Sequence, residues 1–331
     1  MSVRIRDIRK AKNASELPVK LRDSWLLGAC DDTLFLASQV KKEKFELFED
    51  IFVYGYSLEG DRISAGITIK GGGWPESWKQ QNNILYLGTR WGNIVVIDML
   101  TGNKTRQQKF DNLIDALAVN SYVFAGVNGS GVVRLDRELK SNPSFYALEE
   151  EVAHTIDGKR CYEKHLPVTS AITIFNNNVY LFHFSNGGDP FLGDSCCGGL
   201  VEVLDEGLKP VLERKLIPCG VRNAVADGEN IYFATADTSN GWIPAGEGDL
   251  YSLNPKNLDY HHIQGDFAAI VSMARRDGET VLGLKDGVVF ALRDNGSSKI
   301  LHQQETPVNG ILVKDKKIYV AKPGVIVEIS K

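Results

Sequence analysis

Four-residue apolar runs recur along the chain at residues 34–37, 85–88, 123–126, 179–182, 231–234, 281–284 and 318–321. Helical spacing is almost absent, so runs this short predict strands rather than helices. A turn signal precedes each run: Asp31 and Asp32, Asn82 and Asn83, Asn120 and Ser121, Asn176 to Asn178, Asp227 and Gly228, Asp277 and Gly278, Lys314 and Asp315. Asn, Asp and Gly belong there because tight hairpins need positive φ at low steric cost. Before each turn lies another apolar strand. After each run comes a third, at 95–98, 132–136, 200–205, 250–254, 288–294 and 325–329, usually closed by an acid or amide able to hydrogen-bond the next turn. A fourth, more polar strand leads to the next unit. The period of about 38 to about 56 residues is that of propeller blades with insertions.

The pattern predicts an all-β chain: a seven-bladed β-propeller of four-stranded antiparallel blades in one domain, 1–331. The last unit is one strand short. The alternating segment "VRIRDI" (3–8) precedes the first complete unit and can pair beside 325–329, closing the ring and removing open edges.

Two stretches carry a family resemblance. "ILYLGTRWGNIVVIDMLTG" (84–102) resembles the blade repeat of pyrroloquinoline-quinone-type propellers, and "VLGLKDGVVFALRDNG" (281–296) is a weaker copy. The resemblance implies architecture only. The tryptophan expected after the "TG" turn is missing, and the chain has no Trp-Asp dipeptide, so it is WD-repeat-like in plan but not an ordinary WD-repeat sequence.

In a propeller the first-to-second and third-to-fourth strand turns share one face; the second-to-third links and the blade crossings share the other. The first set reads as uniformly short, and the insertions at 39–50, 70–81, 142–166, 185–198 and 236–248 all fall in the second. Long loops on a rigid scaffold are where binding residues collect. Trp74, Trp78, Trp91 and Trp242 read as link residues on that face, with Trp25 opening the first inner strand there. Tryptophan buries large area with few torsions to freeze; the alternative is that each ring pins its own loop. Arg222 enters an inner strand on the same side, where it could meet an anionic ligand or a neighbouring acid.

The same links hold Cys161, Cys196, Cys197 and Cys219. Three readings compete for the thiols. His165, His183, Asp189 and Asp194 stand near Cys196 and Cys197, and thiolate with imidazole suits zinc or copper, although the spacing follows no metal motif. In quinone-dependent alcohol dehydrogenases of propeller fold, a disulfide between adjacent cysteines covers the quinone, and Cys196–Cys197 resembles that pair. The chain departs from that family in being about half its usual length and in offering no calcium-ligating set. The third reading is structural, as buried thiols or a loop disulfide. Asp189, Asp194, Asp237, Glu247 and Asp249 could gather around a hard cation or stay solvated.

Composition narrows the rest. An apolar content of 43% with 24% charged residues supports a sizeable core, and a net charge of −4 argues against a nucleic-acid partner. No apolar run reaches membrane-spanning length and no secretory leader is visible, so the expected location is cytoplasmic. The expected function is a non-catalytic binding or scaffold module that takes a protein, peptide or glycan on its loop-rich face. The alternative is a hydrolase, lyase or dehydrogenase with a cation or quinone at the channel mouth. The cofactor is left open.

Overall fold

The computed structural model describes residues 2–17, 24–40, 50–64, 66–128, 130–147, 154–156, 159–161, 168–184, 199–218, 220–235 and 247–330. Among them are seven antiparallel sheets built on the four-strand plan, together with a separate hairpin, His154–Ile156 with Lys159–Cys161. In each sheet the recurring apolar run is the second strand: Thr33–Val40, Ile84–Thr89, Tyr122–Val127, Asn178–Phe184, Asn230–Thr235, Glu279–Leu284 and Lys317–Lys322. Contacts group the chain into two compact units. One holds the sixth, seventh, first and second blades, the other the third, fourth and fifth.

The predicted terminal pairing is present. Ser2–Asp7 runs antiparallel to Val325–Ser330, with Val3 opposite Ile329 and Asp7 opposite Val325, and completes the seventh blade. Arg6 turns its guanidinium to Glu328 at 3.1 Å, and Lys317 meets the same carboxylate at 2.6 Å. Ile8 and Ala11 then enter a core with Leu34, Leu36, Tyr54, Tyr319 and Ile326.

The apolar strands are buried on both faces, and within each unit neighbouring blades pack on one another. Alternation sends Leu34 and Leu36 one way, and Phe35 and Ala37 the other, onto Leu85, Leu87, Val95 and Ile97 of the second blade. Val281 and Val289 pack on Ile318, Val320 and Val327. In the second unit Phe182, Phe233 and Tyr251 make one aromatic stack, with ring centroids 5.5 and 5.0 Å apart.

The hairpin chemistry follows the expected rule. Asp31, Asn82, Asn176, Asn177, Gly228, Asp277 and Gly278 all take positive φ. The seventh turn is centred on Asp315 and Lys316, one residue later than read, because Lys314 still pairs with Lys317. Asn120 instead accepts the Tyr122 amide on its side chain at 3.0 Å, an Asx turn. The third-strand acids also serve as read: Asp98, Asp136 and Asp205 accept the amides of Leu100, Glu138 and Gly207 at 2.9, 2.8 and 2.7 Å.

Three boundaries are corrected. Of the insertion read at 70–81, Pro75–Gln81 is the first strand of the second blade, which leaves a short link ending at Trp74. Its polar sequence hid it: after Pro75 its residues are half-buried or exposed rather than apolar and enclosed. The insertion read at 142–166 begins later, since Ser144–Tyr146 is the fourth strand of the third blade. The third-to-fourth turns are not uniformly short: the fourth blade runs from Leu204 to Lys215 before its last strand begins.

Candidate functional site

The second blade contributes to the predicted face at the ends of Pro75–Gln81 and Ile84–Thr89. Two turns meet there, the entry link ending at Trp74 and the second-to-third turn through Arg90, Trp91 and Gly92. Gly71 and Gly73 have φ of +58° and +75°, so the entry link folds back tightly. Asp50 accepts the Gly71 amide at 2.7 Å, and the Arg90 and Trp91 amides donate to Trp74 and Gly72 carbonyls at 3.1 and 3.4 Å. A Cβ on Gly73 would stand 2.6 Å from the Trp91 ring, so the indole approaches bare backbone closely. The Arg90 guanidinium sits 4.2 Å from the Trp74 ring centre and 3.1 Å from Glu76. Such a cation–π contact is worth about 0.5–1 kcal/mol at an exposed position.

Gly92 anchors the turn. Its φ is +78°, and a Cβ would lie 2.3 Å from the Phe110 carbonyl. Gly131 and Gly287 hold the equivalent place in the third and sixth blades, at 2.3 Å from the Tyr146 and Gln304 carbonyls.

Trp74 and Trp91 therefore come together, half-buried, with Arg90. Trp78 does not join them as a link residue: it lies within Pro75–Gln81, opposite Leu87, and packs on the core of Leu85, Val95 and Ile97. Trp242 lies outside the described residues, as do His165, Asp189, Asp194, Cys196, Cys197, Cys219 and Asp237. Arg222 belongs to the second unit, half-buried at the start of Val221–Asp227.

A feature invisible to hydrophobic patterning recurs in the inner strands. Each of four has one extra residue at the loop-rich end: Leu27, Glu76, Ser170 and Arg222. These β-bulges re-aim side chains and recur beside functional sites. Glu76 thereby reaches Arg90, and Ser170 hydrogen-bonds the Val221 carbonyl. A one-residue register change leaves no mark on apolar periodicity.

His183, read as a possible ligand, is fully buried in Asn178–Phe184. Its Nδ1 is 3.1 Å from the Thr169 hydroxyl, and its Nε2 is 3.6 Å from Glu202, also fully buried. Glu202 accepts from the Tyr146 hydroxyl at 2.7 Å and from Arg214 at 2.5 Å. Burial holds the His183 pKa below its ordinary value, despite the carboxylate, so the ring is neutral at pH 7. Burial opposes ionisation of Glu202, but its contacts with His183, Tyr146 and Arg214 outweigh that and keep its pKa low. This network ties the third blade to the fourth.

Asp249 stays on its own sheet, accepting from Tyr251 at 3.2 Å and lying 3.5 Å from His262. Burial and that carboxylate push the Tyr251 phenol up to about 12. Cys30 is buried and free, its thiol pushed up by burial. Among the described residues no group of His, Cys, Asp and Glu is disposed to hold a metal, and no helix is long and apolar enough to cross a membrane.

No protein-family model matches the chain, and no curated protein matches it. Solved structures do. The β-propeller domain of Cps50 (Swd1) from Myceliophteria thermophila is similar at a TM-score of 0.61 and 11% identity, over 89% of this chain and 99% of that one. BamB from Moraxella catarrhalis follows at 0.56 and 12%, over 95% and 98%. A chain of the Mitotic Checkpoint Complex matches at 0.61 and 10%, over 99% and 91%. The chain is a seven-bladed β-propeller. Identities this low carry the fold alone.

Proposed function

We propose that this propeller is a non-catalytic binding module, and that its loop-rich end takes a protein or peptide partner. The observation that carries this reading is the Trp74–Arg90–Trp91 platform. It joins two half-buried indoles and a guanidinium on a link held by backbone hydrogen bonds. Tryptophan and arginine dominate the energetic centres of protein interfaces. A platform held in place before binding loses little entropy when a partner arrives. The likeness to a chain of the Mitotic Checkpoint Complex fits a protein-binding use of the fold.

The test compares three immobilised proteins: the wild type, a Trp74→Ala/Trp91→Ala variant, and a control, Leu100→Ser. Leu100 is 63% exposed at the opposite end of the same blade. Partners are recovered and quantified by mass spectrometry, with circular dichroism confirming the fold. The reading expects a protein retained by wild type and control and depleted about tenfold or more by the double variant, which corresponds to about 1.4 kcal/mol. Equal retention by all three, or binding to an immobilised glycan panel but to no protein, contradicts it.

A further inference from the structure

The hairpin-turn end of the sixth blade carries a pocket of about 430 Å³, within the range of small-ligand sites. It lies at the end opposite the tryptophan platform and beside the third strand of the seventh blade. Three cations line it, Arg276, Arg293 and Lys299, against one carboxylate, Glu279.

Arg276 is the fixed part. It is 7% exposed; one terminal nitrogen donates to the Lys316 carbonyl at 3.0 Å and the other to Glu279 at 2.8 Å. Its Nε is buried with no hydrogen-bond partner among the described residues. Leaving a buried donor unmade costs about 1–3 kcal/mol, and the residue that carries this one also lines the pocket. Arg293 donates its Nε to Glu279 at 2.9 Å, and its side chain is 58% exposed. Ser298 and Ser330 add hydroxyl donors. Ala291, Leu301 and Ile329 supply an apolar wall.

We infer that this pocket binds a phosphate monoester, the oxyanion meeting Arg276, Arg293 and Lys299 and the organic body lying on Ala291, Leu301 and Ile329. Three cations less one carboxylate leave two positive charges, the complement of a phosphate monoester near pH 7. A carboxylate would leave one of those charges unanswered. Planar guanidinium groups with hydroxyls match the several acceptor oxygens of phosphate.

The test is calorimetric titration of the full chain with phenyl phosphate, inorganic phosphate, benzoate and a phosphoserine peptide. Phenyl phosphate is expected to bind saturably and about tenfold or more tighter than benzoate, since it brings nearly a second negative charge and a third acceptor oxygen to the same cations. Arg293→Gln and Lys299→Gln should each weaken it severalfold with the thermal midpoint of Lys299→Gln unchanged, because no described ion pair uses Lys299. Phenyl phosphate binding tighter than the peptide identifies a small-molecule source, and the reverse order a phosphorylated chain; both uphold the phosphate chemistry. No saturable binding of any phosphate, benzoate matching phenyl phosphate, or affinity unmoved in both variants would overturn the assignment.

Discussion

Glu202 shows how much a single side chain can be asked to hold. It is fully buried and answers Tyr146 and Arg214 directly, with His183 beside it. Glu202→Ala strands those partners, and breaking a buried ion pair from one side costs about 3–5 kcal/mol. The urea midpoint should fall accordingly; a loss below about 1 kcal/mol would make the network ornamental. Acid should act in two stages. His183 has a folded pKa below its ordinary 6.5, so the unfolded chain takes the proton first and stability declines as pH drops below that value. Glu202 is held below its ordinary 4.5, so its contribution is complete above that and lost as pH falls toward its folded value. His302, depressed by burial and by Lys322, adds to the first stage with the same sign. Urea unfolding at pH 7.5, 5.5 and 4 reads both stages, and His183→Gln should flatten the first. A wild type equally stable at pH 7.5 and 5.5 would contradict this.

At the scale of elements, the second strands were plain in the sequence because both of their faces are buried and their residues are apolar throughout. Ser2–Asp7 was legible for another reason: a chain built from four-strand units that ends one strand short needs a partner for Val325–Ser330. Pro75–Gln81 was not legible, since a half-buried polar strand beside three glycines reads as loop. Trp78 was misplaced with it. The bulges at Glu76 and Arg222 and the glycines at 92, 131 and 287 depend on contacts between distant turns. Two predictions belong here. Gly92→Ala sets a Cβ against the Phe110 carbonyl in a left-handed backbone, and should cost at least about 1–2 kcal/mol in thermal unfolding. An unchanged midpoint would show that the turn relaxes freely. Deleting residues 2–7 removes Arg6 from buried Glu328 and bares an edge strand. The truncated chain should melt lower by an amount matching about 3–5 kcal/mol and self-associate on gel filtration. A synthetic peptide of those residues should restore the midpoint, and a truncation as stable and monomeric as the whole chain would count against the closure.

For the whole molecule, repetition supplies the scaffold, and the two proposed sites lie in departures from repetition. The blades share their hairpin turns, their third-strand acids and, in several, the same bulge and glycine. The stacked Trp74 and Arg90 with Trp91 beside them, and the pocket that gathers Arg276, Arg293 and Lys299, are not features of the shared blade plan. Fold likeness at 10–12% identity reaches only the repeated part. The central claim, that the loop-rich end exists to hold a protein, is tested most directly by quantitative partner recovery on wild type, Trp74→Ala/Trp91→Ala and Leu100→Ser. The account predicts at least one partner that the double variant loses and the other two keep. Identical recovery by all three folded proteins would contradict it.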